Sequence, residues 1–222
     1  MAKTVPAAEA TLDRQQAAAL PTRATSDGTL RRLQEAALIL FAERGYHGVS
    51  MRELAAATGV QAASLYEHMP SKERLLFDLV LLAHTEHRDR IRAALLDAGT
   101  DTADRLARVV RAHVALHAEF PLLASVANNE LHALSEANLA EVRAVRGEAE
   151  DTIFALVDRG MRQGHFDCPD AWLATAAIGG MGIRVAAWFR PGGSYTVDEV
   201  CDTYAELALR IVGAGPASVS RR

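Results

Sequence analysis

Histidines fall in two helically spaced pairs in this 222-residue sequence, His84 with His87 and His113 with His117, so each pair can turn two imidazoles to one helix face. Two imidazoles one turn apart are the beginning of a metal site. Neither pair lies in an HExxH motif, however, and neither has a third ligand at a recognisable spacing, so no metal is expected. Cys168 and Cys201, the only cysteines, are far apart and outside any CxxC, which excludes a disulfide framework and a cysteine-rich zinc site and suits a reducing cytoplasm. Cys168 has no local nucleophile signature, and the sequence contains no GxSxG, P-loop or dinucleotide glycine pattern. Glu130, Glu141 and Glu148 read as solvated helix faces rather than as an acid/base pair. Catalysis has no positive support, and no cofactor is expected. A different chemistry is open to Arg184 and Trp188, which share a helix face at a spacing of four. The guanidinium can meet a phosphate or a thioester carbonyl, and the indole can cover an apolar or adenine surface. The competing reading pairs Arg184 with an internal carboxylate such as Glu148 or Glu150 and leaves Trp188 in the core.

The elements that must position such groups are helices. Hydrophobic residues make up 50% of the chain and aromatics only 5%, with glycine and proline confined to a few punctuation points, which predicts an all-α fold with a sizeable core. The net charge of −4 argues against bulk attraction to nucleic acid, so any DNA contact must come from a local patch. Residues 171–183 are nearly all apolar, but Arg184 ends the run short of the roughly 20 residues that a bilayer span needs. No membrane contact is expected. The N-terminal stretch lacks an apolar segment and carries Glu9, Asp13 and Arg14, so it is read as a flexible arm over residues 1–26 rather than as a signal peptide.

Leu30, Leu33, Ala37, Leu40 and Phe41 form a stripe at helical spacing, closed by Gly45. Ser50 followed by Glu53 is a capping box for a short second helix. Gly59 permits a tight turn, a third helix starts near Gln61 and must stop before Pro70, and Ser71 offers a cap for a long fourth. Three short helices therefore meet in a compact corner. Thr102 is expected to cap a later helix, and Pro121 to open another.

Ala55, Gly59 and Leu65 have the spacing of the small residue, turn glycine and apolar plug of a helix-turn-helix. Residues 30–76, with LILFAERGYHGVSMRELAAATGV followed by SLYEHMPSKERLL, resemble the TetR family of bacterial transcriptional regulators. The resemblance implies that Gln61 to Tyr66 enters the major groove of double-stranded operator DNA. Gln61 would pair with adenine, Ser64 would donate or accept, and Ala62 and Ala63 would allow close approach. Tyr66 and Lys72 would hold the phosphate backbone, with Ser50, Arg52 and His68 also at the interface. Gln61 stands where the family often has a small hydroxyl residue, and Glu67 follows Tyr66 where a neutral group is common, so the operator sequence does not transfer.

The resemblance further implies a DNA-binding domain over 27–74, a ligand-binding and dimerisation domain over 75–214, and a tail over 215–222. The last two helices, the first starting after Pro169 and the second capped by Thr196 with Glu199, would pair across a two-fold axis near Gly180 and Leu207. Residues 184–210 are similar to a TetR subgroup responsive to acyl-CoA thioesters, which favours Arg184 and Trp188 as effector contacts. The expected protein is a cytoplasmic homodimeric repressor. A sensor of a free hydrophobic compound and a nonspecific architectural DNA binder are the alternatives.

Overall fold

The computed structural model describes residues 17–25, 27–61, 65–66 and 69–214, and among them the chain is all-helical, with no strand. The helices are α1 (Gly28–Arg44), α2 (Met51–Thr58), α3 (Lys72–Leu96), α4 (Thr102–Glu119), α5 (Pro121–Asn129), α6 (Glu136–Arg162), α7 (Ala171–Trp188) and α8 (Val197–Ile211), with a short 3-10 turn at Leu131–Ala133. Two compact units share them. One comprises the chain up to Ala83 together with Glu119–Val142, the other His84–Ala118 together with Arg143 onward.

Local chemistry sets the boundaries. The Asp27 carboxylate accepts from the Thr29 and Leu30 amides at 2.8 and 3.0 Å, satisfying two free donors at the start of α1. Gly45 closes α1 at φ 70, as its position predicts, and Gly59 closes α2 in the left-handed region at φ 69, ψ 17. Both predicted capping boxes form, Ser50 with Glu53 on α2 and Thr196 with Glu199 on α8. Ser71 accepts from the Arg74 amide at 3.0 Å, and Pro121 occupies the first turn of α5. Thr102 corrects an expectation. Asp101 caps α4 by accepting from the Asp104 amide at 2.7 Å, while the Thr102 hydroxyl is turned inward to His165 at 2.9 Å. A carboxylate one residue earlier displaces the hydroxyl because it is the better acceptor for amides at a helix N-terminus.

Each unit has its own core. In the first, Leu33, Ala37, Leu38 and Phe41 of α1 pack with Leu54 and Ala55 of α2, Leu65, Met69, and Leu75, Leu76 and Leu79 of α3. Leu38 takes the buried place that the sequence stripe assigns to Leu30 and Leu40, both of which are half-buried. The second core joins Ile91, Leu106, Val109, Val110 and Val114 to Ile153 and Val157 of α6, Ile178 and Val185 of α7, and Val200, Ala208 and Leu209 of α8. None of the described helices is long and apolar enough to cross a membrane.

Candidate nucleic-acid interface

The corner between α1 and α3 is braced by one ammonium group. Lys72, the first residue of α3, donates from Nζ to the carbonyls of Tyr46 and Val49 at 2.8 and 2.6 Å and lies 4.0 Å from the centre of the Tyr46 ring. These bonds tie the loop after α1 to the start of α3 across more than twenty residues of sequence. Partial desolvation lowers the Lys72 pKa from its ordinary value, with the Glu53 charge opposing. An ammonium has three donors, and these two carbonyls take two of them.

Ser50 is similarly committed. Its hydroxyl donates to Glu53 Oε2 at 2.7 Å and its amide donates to the same oxygen at 2.8 Å. Arg44 donates to Glu53 Oε1 at 2.7 Å. The Ser50 hydroxyl, the Ser50 amide and then Arg44 stabilise the ionised carboxylate and bring the Glu53 pKa down to about 2. The start of α2 is thereby fixed with an exposed Arg52 beside it.

Leu65 is fully buried beneath the turn, as a plug should be, while its neighbour Tyr66 is 52% exposed and Gln61 is exposed. Burial of Leu65 thus orients the next residue outward. Ala62, Ala63, Ser64, Glu67 and His68 lie outside the described residues.

In the second unit an open cavity of about 530 Å³ lies between α6 and α7. Its walls are Arg146, Glu150, Asp151 and Phe154 on one side and Trp172, Thr175 and Ile183 on the other, over a floor of Ala176, Gly179 and Gly180. Arg184 and Trp188 do not line it. Arg184 is exposed and forms no ion pair among the described residues; Glu148 instead meets Arg92 at 2.7 Å and Glu150 meets Arg146 at 2.7 Å. Trp188 is 41% exposed with its ring centre 6.4 Å from that of Tyr204. Gly180 and Leu207 are both exposed. The histidine pairs come together, with ring centres of His87, His113 and His117 4.8–5.8 Å apart. No group of three or more potential ligands among the described residues is arranged to hold a metal ion.

Comparison with known families matches residues 33–79 to "Bacterial regulatory proteins, tetR family" and residues 99–212 to "Tetracyclin repressor-like, C-terminal domain". The chain belongs to the TetR family. It is 28% identical over 193 residues to the HTH-type transcriptional repressor KstR2 of Rhodococcus jostii strain RHA1, covering 85% of this chain and 94% of that protein. A tetR-family regulatory protein from Rhodococcus RHA1 superposes with a TM-score of 0.77 at 32% identity, over 86% of this chain and all of the other. AibR, solved with isovaleryl coenzyme A and operator DNA, shares the fold with a TM-score of 0.72 at 23% identity, over 84% of this chain and 100% of AibR. The TetR-family chain is accordingly a DNA-binding transcriptional regulator and not an enzyme.

Within this TetR-family regulator, sequence reasoning missed the groove residues Arg146 and Trp172. Arg146 reads as one more charge on a solvated face, and Trp172 as the first turn of a core helix. Only the packing of α6 beside α7 joins them. The one available sequence signal was the small-residue spacing of Ala176, Gly179 and Gly180 on a single face.

Proposed function

We propose that the protein is a cytoplasmic homodimeric repressor that grips double-stranded operator DNA through its 27–74 domain and is released when a small molecule binds its 75–214 domain. The observation that carries the DNA half is the division of labour in the corner. Leu65 is sealed in the core and Lys72 pins the preceding loop, while Gln61, Tyr66 and Arg52 face outward on a framework that need not reorganise to bind. Gln61 reads a base edge, with Ala62, Ala63 and Ser64 beside it. Tyr66, Arg52, His68 and the remaining N–H of Lys72 take phosphates, and Ser50 serves chiefly by fixing Glu53.

Two heads must meet successive major grooves about 34–36 Å apart, which calls for a dimer, and the faces carrying Gly180 and Leu207 are its proposed contact. Exposed apolar side chains on α7 and α8, among them Trp172, Leu173, Leu207 and Ile211, support that surface. An effector that binds better to a differently spaced dimer shifts the population away from DNA.

For the effector, an acyl-CoA thioester is the preferred class. Arg184 is an exposed cation with no ion pair in an otherwise apolar helix, and a polyanionic ligand satisfies it. The α6–α7 groove carries one cation and two carboxylates, so it suits a neutral portion of the ligand rather than its phosphates. AibR, with which the likeness is one of fold, binds isovaleryl coenzyme A. A free hydrophobic compound is the second class to screen. The deciding test of the DNA assignment is a gel shift with the gene's own upstream region against scrambled duplex at several salt concentrations. Equal affinity for both indicates an architectural binder, and no affinity for either ends the proposal.

A further inference from the structure

The glycines of α7 do not have a common explanation. A Cβ built on Gly182 falls within contact distance of His113 Cδ2 and Nε2, so the imidazole lies directly on the backbone there. A Cβ built on Gly179 or Gly180 meets nothing within 4 Å, and these two form the floor of the open groove. No packing among the described residues requires them, and glycine is the weakest helix former short of proline. The centre of α7 therefore has the lowest intrinsic helix propensity, and the buried His113 is bonded to it.

That side chain is the middle of a hydrogen-bonded string. His113 Nε2 lies 3.1 Å from the Gly179 carbonyl, and His113 Nδ1 lies 2.7 Å from His87 Nε2. A carbonyl only accepts, so Nε2 of His113 carries the proton, its Nδ1 offers a lone pair, and His87 Nε2 must donate. His117 Nδ1, 2.8 Å from the His113 carbonyl, donates in turn and holds the neighbouring turn of α4. The facing titratable or charged groups are His84 and His87 from α3, His117 from α4, and Arg146 and Glu150 from α6. Burial, with Arg146 adding repulsion, keeps the imidazole neutral and lowers its pKa to about 4, which preserves the single direction of the string. The alternative tautomer of His113 sets two lone pairs against each other at Gly179, and keeps the contact with His87 only if His87 changes tautomer as well. The bond to Gly179 thus requires the proton on His113 Nε2.

We propose that His113 is a latch on the glycine-rich turn of α7, and that releasing its bond to Gly179 lets the groove floor open toward the histidine cluster. Closed, the latch sets the depth of the groove. Open, it brings the groove up to the polar cluster of His87, His113 and His117. Because Arg146 stands both in the groove wall and beside the imidazoles, a ligand that draws Arg146 away from Glu150 acts on the same string.

The test has two readings on the full-length protein. Long-range imidazole nitrogen–proton correlation spectra at neutral pH should show His113 protonated at Nε2 alone and His117 at Nδ1 alone. A His113 that is Nδ1-protonated or cationic overturns the proposal without any variant. Hydrogen exchange is the second reading. His113→Leu should speed the amides of Gly180–Arg184 by roughly tenfold or more, relative to Leu106–Val110 of α4 and Ile153–Val157 of α6. Adding Gly179→Ala, which the open floor accommodates, should slow them again by restoring helix propensity. Unchanged exchange at Gly180–Arg184, an equal acceleration throughout α4, α6 and α7, or no rescue by Gly179→Ala each refutes the latch.

Discussion

Acid should loosen this protein well before its carboxylates are protonated, and the size of the effect follows from two buried imidazoles. His113 and His117 are fully enclosed, and burial is the largest cause of pKa values of about 4 and about 3 against an ordinary 6.5. The sign follows from proton binding. Between the folded and unfolded values the unfolded chain holds more protons, so stability is complete above about pH 6.5 and falls as pH drops through it. At about pH 5 an unfolded imidazole lies about 1.5 units below its pKa while the folded one is still neutral, which favours unfolding by about 2 kcal/mol per histidine. Together His113 and His117 account for about 4 kcal/mol, a large part of the 5–15 kcal/mol typical of a folded domain. His87, also pushed well below its ordinary range by burial, acts in the same direction. At roughly 2–4 °C per kcal/mol for a chain of this size, the melting midpoint should fall by about 8–16 °C between pH 7.5 and pH 5. Urea titrations followed by far-ultraviolet circular dichroism at both pH values measure it directly. A His113→Leu, His117→Leu double variant starts less stable but should lose about 4 kcal/mol less over the same interval. A flat wild-type profile, or a double variant with the wild-type slope, would refute this reasoning.

The DNA head gives a prediction with two signatures. Tyr66→Phe and Lys72→Met should weaken good and mismatched operators by similar factors, whereas Gln61→Ala should reorder them in a titration over an operator library. Lys72→Met should also lower the melting midpoint, because it leaves the Tyr46 and Val49 carbonyls without their charged donor. For the dimer, Gly180→Leu or Leu207→Glu should give a monomer mass by light scattering, the first by blocking approach and the second by placing a charge in an apolar contact; dimers in both place the interface elsewhere. For the effector, a thermal-shift and DNA-release screen with CoA thioesters, free acids and CoA alone should show Arg184→Met and Trp188→Ala blunted toward thioesters. If Arg146→Met and Trp172→Ala are blunted instead, the whole ligand lies in the groove; if no thioester releases DNA, the class is wrong.

Capping chemistry made the corner legible because each signal there is local. Ser50 with Glu53, Gly45, Gly59 and Ser71 act on amides or torsions within a few residues, and all four take the structural roles their spacing implies. Phe41 was legible because helical periodicity names the face that meets the core, and Leu65 because the helix-turn-helix spacing marks its plug. What sequence could not supply was the meeting of distant residues. Lys72 was read from the resemblance as a phosphate clamp, and only the fold brings it to carbonyls 26 and 23 positions away. The histidines were read as two unrelated pairs; the fold joins them through one bond between His87 and His113, 26 residues apart. Thr102 was misassigned because a carboxylate at Asp101 competes for the same amide, and the hydroxyl then finds His165, 63 residues on.

The glycines of α7 show why composition alone underdetermines function. A run of three glycines in four positions suggests close approach along its whole length, yet only Gly182 is approached from within the chain, by His113. Gly179 and Gly180 are open, and alanine at either would strengthen the helix by up to about 1 kcal/mol without touching a neighbour. Their absent side chains therefore concern something the single chain does not contain, or a motion it must make. The proposed dimer gives Gly180 a reason in the first sense, as the place where a second backbone can come close. The latch gives Gly179 a reason in the second, since a carbonyl that must be gripped and released by an imidazole works best in a turn that is weakly held by its own helix. Alanine at Gly179 alone and at Gly180 alone separates these reasons, because loss of dimer mass follows one substitution and slower exchange of the turn follows the other.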